Sequence, residues 1–451
     1  MTAPTSLLKQ QQILSAQTAG IPTVYIGDST VANGFGTDGG VVSVTNGFSQ
    51  YTGGTYASSF DNSFIDYTNI ILYSPWNILH NAGIGGDSTT GVLSRMQTDC
   101  LQYGPKLVVL AAGTNDIVQA TGPDAATVAA GVIANLSRIF DLCASVGAQV
   151  LAFTILPRLI FTVDGAATTL QLQIRQPAAI LVNQWLISEK SRRSGLSVVN
   201  TWAVFGDPLT GQPLSGYTWD GTHPTNVGAF VIGKEASRQL AGVFPMWPYI
   251  PMGAAEAYLL NTSAIVRNDN PLMAAGTGGT MQTGVTGAVA QGFDCGRGAG
   301  TPTVAASVVA HPDGLGYRQK LVITFAAAGD MVYLGTPNLN ARWVAGALLE
   351  GQCDFEVEAG SEQIVNRLTL SCGPTVSSVG HSAKCMDQTA GRSPGNIPYG
   401  SGGFKGRMRT FRVTQPQSGA CSTWNNRLNI YASAAGTVTV YVSLFAARMI
   451  V

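Results

Sequence analysis

Charge is what this 451-residue sequence has least of. Its 25 lysines and arginines balance 25 aspartates and glutamates, charged residues are 11% of the chain, and the formal net charge is zero. A phosphate backbone is bound by releasing counterions to a basic surface, so this balance argues against a nucleic-acid partner, and equally against an anionic membrane surface. No apolar run approaches the roughly 20 residues that a bilayer span requires, and no membrane span is expected. The opening residues, Met1-Thr2-Ala3-Pro4-Thr5-Ser6-Leu7-Leu8-Lys9, lack the basic start and long apolar stretch of a secretory signal. The chain is therefore expected to be extracellular by a route that needs no secretory signal, to be already processed, or otherwise to stay in the cytoplasm. Seven cysteines without a CxxC pair exclude a zinc ribbon and a complete disulfide framework. They read as small buried apolar residues, although the cluster Cys353, Cys372, Cys385 and Cys421 leaves room for one or two bridges. HExxH, P-loop and dinucleotide fingerprints are absent, so no metal and no organic cofactor is expected.

What is present divides the chain in two, as its length suggests. Residues 1–21 read as an extension or a short leading helix. From residue 22 to 250, short apolar runs alternate with amphipathic stretches, the pattern of β-α-β units around a parallel sheet. Strands are expected at 23–26, 107–110, 150–154 and 197–200, with helices at about 88–101, 124–146, 171–194 and 226–241. The prolines at 245, 248 and 251 mark a linker. Residues 251–451 turn to Gly, Ala, Thr and Val with strand-like segments at 320–325, 407–413 and 436–442, which predicts an antiparallel β-sandwich. Such an accessory domain suits carbohydrate binding or oligomerisation.

Four segments carry chemistry. The first strand runs into Gly27-Asp28-Ser29-Thr30, which puts Ser29 at the carboxyl edge of the sheet, where open α/β sheets hold their sites. A serine hydroxyl is a weak nucleophile until an imidazole takes its proton and a carboxylate orients that imidazole. Asp220-Gly221-Thr222-His223 supplies both groups within one turn, just before Pro224-Thr225-Asn226 opens a helix. Developing negative charge needs N–H donors. Asn81-Ala82-Gly83-Ile84-Gly85-Gly86-Asp87-Ser88 can expose main-chain N–H groups through its glycines, and Ala112-Gly113-Thr114-Asn115-Asp116 adds the Asn115 amide beside the Ser29 N–H.

In order and spacing these segments resemble the signature blocks of the SGNH, or GDSL-type, hydrolases: Gly-Asp-Ser, a glycine block, Gly-x-Asn-Asp and Asp-x-x-His. The resemblance covers about 22–241. It implies a three-layer flavodoxin-like parallel sheet and a serine esterase, with Ser29 as nucleophile, His223 as base and Asp220 as its partner. It also implies an oxyanion hole made by Ser29, Gly86 and Asn115. Alone, Ser29 would read as a helix cap and Asn115-Asp116 as a turn. It is the four blocks together that outweigh those readings. Asp28 and Asp116 are expected to bond local backbone N–H groups. Gly380-His381-Ser382 is half of a nucleophile elbow, with Lys384 where the second glycine belongs, and is set aside.

Substrates in this family range over lipid esters, thioesters and acetylated sugars. Thr30 after the nucleophile resembles some carbohydrate acetylesterases of the class. The leading expectation is therefore an esterase acting on an acetylated polysaccharide, with Trp343, Tyr399 and Trp424 as sugar-stacking candidates. Low charge and a β-rich tail also resemble a phage tail component, for which a homotrimer is the expected oligomer. A lipolytic esterase or thioesterase, and a non-catalytic glycan-binding virion protein, stay open as alternatives.

Overall fold

All five residues of Leu107–Ala111 are buried, as befits a strand covered on both faces. It lies at the centre of a parallel sheet in the computed structural model of the chain, which describes residues 20–32, 41–45, 48–51, 54–120, 122–159, 171–245, 256–258, 265–274, 276–360, 362–387 and 403–450. The chain divides into two compact units, residues 1–35 with 62–249 and residues 36–61 with 250–451.

The first unit holds strands β1 (Ile21–Gly27), β2 (Trp76–Gly83), β3 (Leu107–Ala111), β4 (Gln149–Phe153) and β5 (Leu196–Val199), all parallel, in the order β2-β1-β3-β4-β5. This is the flavodoxin-like order expected from the sequence. The helices of this unit that bear on its core and site are α1 (Ser29–Ala32), α2 (Phe64–Ile71), α3 (Thr89–Ser94), α4 (Thr114–Val118), α5 (Ala125–Ser145), α6 (Gln176–Glu189) and α7 (Asn226–Gln239). Alternation along β1 sends Val24 and Ile26 into a core with Val132, Leu136 and Ile139 of α5 and Val182 and Leu186 of α6. Tyr25 faces the opposite layer, where its hydroxyl reaches Asp66 of α2. In that layer Phe64 of α2 packs edge-on to Phe153 of β4, and Tyr67 to Phe230 of α7.

Strand β2 was not foreseen. Its burial is partial along most of its length, the mark of an edge strand, and Trp-Asn-Ile-Leu-His-Asn-Ala-Gly has no continuous apolar run. The expected helix at 88–101 is broken into α3, a second turn at Met96–Asp99 and a 3-10 turn. Helix α5 is long and apolar enough to cross a membrane by length and composition. Its buried residues Ala129, Val132, Leu136, Ile139 and Cys143 instead recur every three or four positions and face the sheet, the signature of a core-packed helix.

Among its described residues the second unit is a β-sandwich with two sheets. One has seven strands, along the order Val285–Gly287, Thr303–Ala310, Tyr317–Phe325, Gly436–Ile450, Leu348–Val357 and Phe404–Arg409, with Val413–Thr414 beside Leu348–Val357. The other has nine, centred on Val365–Val376 and Cys421–Ala432. Period-two alternation buries Leu321, Ile323 and Phe325 on one sheet and Trp424, Leu428 and Ile430 on the other. Leu349, Ala447 and Met449 meet Cys372 and Trp424 in the core between them. The sheets are mixed rather than purely antiparallel, because three short pairings run parallel. One of these uses residues 36–61, read from sequence as part of the hydrolase half. Gly54–Phe60 pairs with Val379–Asp387, and Phe48–Tyr51 and Val41–Thr45 extend the nine-stranded sheet. A pairing across more than 320 residues leaves no local trace in sequence.

All seven cysteines are free and six are buried, so the bridges considered for the last four are not formed. Trp424 is fully buried, which removes it as a stacking platform. Trp343 packs partly buried against the inter-sheet core and donates to Gln415. Tyr399, the leading segment 1–19 and most of the linker lie outside the described residues.

Candidate active site

The carboxyl end of β1 passes directly into α1, and Asp28 caps that helix. Its Oδ1 accepts from the Thr30 N–H at 2.9 Å and the Thr30 hydroxyl at 2.8 Å, while its carbonyl accepts from Val31 and Ala32. Because Asp28 takes the capping role, the Ser29 hydroxyl is left for another partner. That partner is His223, whose Nε2 lies 2.8 Å from Ser29 Oγ. Asp28 itself is buried, and burial raises its carboxyl pKa against the opposing bonds from Thr30 and the charge of Arg158.

His223 Nδ1 lies 2.6 Å from Asp220 Oδ2. The other oxygen of Asp220 accepts the main-chain N–H groups of Thr222 at 3.0 Å and His223 at 2.7 Å. Partial burial works against ionisation of Asp220, but the His223 and Thr222 bonds and the His223 ring outweigh it and hold the carboxyl below its ordinary 3.8. An ionised carboxylate only accepts, so the 2.6 Å bond to Asp220 requires a proton on Nδ1, and Nε2 is the ring nitrogen that faces the serine. Thr225 then caps α7, its hydroxyl accepting from Gly228 N–H. Trp219 stacks on the His223 ring, with centroids 5.5 Å apart and planes 17° off parallel, and keeps 38% of its surface exposed.

The glycine block forms a turn closed by Asp87 N–H to the Ile84 carbonyl at 3.2 Å. Gly86, third in that turn, has φ +80° with open space where a Cβ would stand, so backbone conformation and not crowding demands glycine there. Asn115 sits in the first turn of α4, and its side-chain amide donates to the Asp87 carbonyl at 2.9 Å. Asp116 does not bond locally as expected. It grips the start of α3, accepting from the Thr89 N–H at 2.8 Å and the Thr89 hydroxyl at 2.6 Å.

Arg95, which no block contains, ties the same loops together. It donates to the carbonyls of Gly27 at 3.0 Å and Ala82 at 2.6 Å, the ends of β1 and β2, and pairs with Asp87 at 2.8 Å. Nothing in the local pattern singles it out, since its partners come from two strands. Trp219 could have been noticed as the aromatic preceding Asp220. Gly380-His381-Ser382 lies inside the strand Val379–Asp387, away from any strand-to-helix turn.

Compared with known proteins, residues 25–229 match the model of the GDSL-like lipase/acylhydrolase family. Among solved structures, a GDSL-like lipase from Bacteroides thetaiotaomicron is 18% identical, over 49% of this chain and 86% of that one, with a TM-score of 0.34. A catalytic mutant of an acetylxylan esterase from Geobacillus stearothermophilus is 18% identical, over 51% and 96%, with a TM-score of 0.34. The lipase/acylhydrolase from Enterococcus faecalis is 18% identical, over 49% and 96%, with a TM-score of 0.32. At such identities and scores none of these bears on substrate. No curated protein matches the chain.

Proposed function

We propose that the chain is a serine esterase that removes O-acetyl groups from a polysaccharide, a reading supported by the match of residues 25–229 to the GDSL-like lipase/acylhydrolase model, which suits a carboxylic ester hydrolase. The observation that carries the reading is the unbroken relay from Ser29 Oγ through His223 to Asp220, at 2.8 and 2.6 Å. In this reading Ser29 Oγ attacks the acetyl carbonyl carbon while His223 Nε2 takes its proton. The oxyanion of the tetrahedral intermediate is met by the N–H groups of Ser29 and Gly86 and the Asn115 amide. The carbon–oxygen bond to the sugar breaks, His223 gives its proton to the departing alkoxide, and an acetyl-Ser29 ester remains. Water, deprotonated by His223, adds to that ester and releases acetate, restoring the serine. The exposed face of Trp219 beside His223 supports a sugar as leaving group, since a flat aromatic face packs on the C–H face of a pyranose. The β-sandwich would then hold the polymer or assemble copies of the chain, a trimer if the protein serves on a phage tail.

A lipolytic reading has its own support. Ile84 and Leu159 are exposed at 47 and 41% on the segments that leave the carboxyl ends of β2 and β4, and Leu209 is exposed at 94%. The deciding experiment is acetate release from a panel of acetylated polysaccharides, set beside hydrolysis of nitrophenyl acetate and nitrophenyl octanoate, for wild type and Ser29→Ala. Ser29→Ala should lower kcat by about 10³-fold or more with its melting temperature unchanged. A preference for octanoate transfers the assignment to lipid esters. Absence of turnover on every ester, with glycan binding retained, transfers it to a non-catalytic binding protein.

A further inference from the structure

His223 hangs from a hairpin whose body is bonded mainly to itself. Thr225 N–H donates to the Tyr217 carbonyl at 2.9 Å, Trp219 N–H to the His223 carbonyl at 3.1 Å, and Thr218 and Pro224 bridge between them. Its tip, Asp220-Gly221-Thr222, is gripped from outside by the chain leaving β4. Leu159 N–H donates to the Gly221 carbonyl at 2.9 Å. Arg158 Nε and Nη2 both donate to Thr222 Oγ1, at 3.0 and 2.7 Å. Gly221 has φ +80°, and a Cβ there would stand 2.6 Å from the Leu159 side chain, so the tip rests directly on this segment.

Arg158 is half-buried, and its charge reaches further than Thr222. Burial draws its guanidinium pKa down, while the carboxylates of Asp28 and Asp220 act to raise it. One cation thus lies within Coulombic range of the carboxylate that precedes Ser29 and of the carboxylate bonded to His223. It favours the ionised form of both.

We infer that Arg158 is the positioning residue of the base: its guanidinium fork fixes Thr222 and, through it, the Asp220–His223 turn over Ser29. The inference rests on the serine-esterase reading. A hairpin bonded along its own length can still rock as a body, and a shift of about 1 Å between reacting groups costs on the order of 100-fold in rate. Anchoring the tip at two adjacent residues removes that freedom. Lysine cannot replace the arginine fully, because an ammonium lacks the rigid planar fork.

The test is steady-state kinetics on nitrophenyl acetate with the full chain as wild type, Arg158→Gln, Arg158→Lys, Thr222→Val and the double variant Arg158→Gln/Thr222→Val, each with a thermal melt. The expected result is a kcat reduced roughly 10–100-fold in Arg158→Gln with KM within about twofold. Arg158→Lys should recover only part of the loss. Thr222→Val should fall in the same range, and the double variant should be no slower than the worse single variant by more than about twofold, as for residues acting through one contact. A folded Arg158→Gln with wild-type kcat overturns the inference, as does a raised KM at unchanged kcat, which would make Arg158 a substrate contact. Multiplying effects in the double variant overturn it too. Should Arg158→Gln not fold, Thr222→Val alone decides, since wild-type kcat there removes the proposed route. A wild type that neither hydrolyses the ester nor reacts with a fluorophosphonate sinks the esterase reading along with this one, whereas an active wild type with an indifferent Arg158 sinks this one alone.

Discussion

The Asn115 side-chain amide donates to the main-chain carbonyl of Asp87 at 2.9 Å, joining two segments 28 residues apart at the mouth of the sheet. A carboxamide has two N–H donors, so one orients the side chain on the glycine loop while the second, in the proposed mechanism, is the one that meets the oxyanion. Asn115→Ala should therefore lower kcat about 10²–10³-fold with little change in KM, the cost of one oxyanion donor. A kcat within threefold of wild type on nitrophenyl acetate would remove Asn115 from the oxyanion hole.

Asp220 makes a prediction about acid. Its folded pKa lies below the ordinary 3.8, so what it contributes to stability is present above that value and is lost as pH falls through the lower folded value. Decline of activity between pH 7 and 4 should thus not reflect loss of this carboxylate. Asp220→Asn should cost roughly 10³–10⁴-fold in kcat at neutral pH, because an amide facing Nδ1 favours the tautomer with Nε2–H pointing at the serine. Near-normal rates in that variant would count against the assigned relay.

Asp66 behaves in the opposite sense. It is buried on α2, and desolvation raises its pKa from 3.8 to about 7 against the weaker pull of Ser63 and Tyr25. Between those values the folded state holds a proton that the unfolded state has released. Its stabilising contribution is complete below pH 3.8 and fades as pH rises through about 7, by roughly a few kcal/mol in all. Asp66→Asn mimics the protonated group, so its urea midpoint should exceed that of wild type at pH 8 and lose the decline between pH 4 and 7. An unchanged slope against pH would show that Asp66 does not carry it.

In the β-sandwich, Glu350 is fully buried and meets Arg409 at 2.8 Å, Arg412 at 2.8 Å and Arg448 at 2.6 Å. Burial opposes its ionisation, but the three guanidinium groups prevail and hold its carboxyl far below the usual range. Removing one charge from such a cluster leaves buried cations without compensation. Glu350→Gln is expected to destabilise the second unit by about 3–5 kcal/mol, read as an early transition in a denaturant melt. A melt superimposable on wild type would refute this.

Much of the site was legible because its parts are local. Gly-Asp-Ser, the glycine turn, Gly-Thr-Asn-Asp and Asp-x-x-His are each a strand end or a single turn, and their residue types are dictated by chemistry. The residues that hold those parts in place were not legible. Arg95 bonds the ends of two strands, Asp116 holds the first residue of a helix 27 residues upstream, and Arg158 holds a turn 64 residues downstream. Each is an ordinary polar residue in its own neighbourhood and acquires its role from partners that only folding brings near.

The same division runs through the fold. Alternating buried strands and amphipathic helices identified the parallel sheet, and period-two segments the sandwich, because solvent sorting of side chains is written residue by residue along the chain, whereas the flavodoxin-like strand order was implied only by the resemblance of the four blocks. The edge strand β2, and the recruitment of Gly54–Phe60 into the distant nine-stranded sheet, were decided by tertiary structure. Main-chain hydrogen bonding joins edges irrespective of side-chain identity, so the sequence carries no local mark of where a strand will find its neighbour.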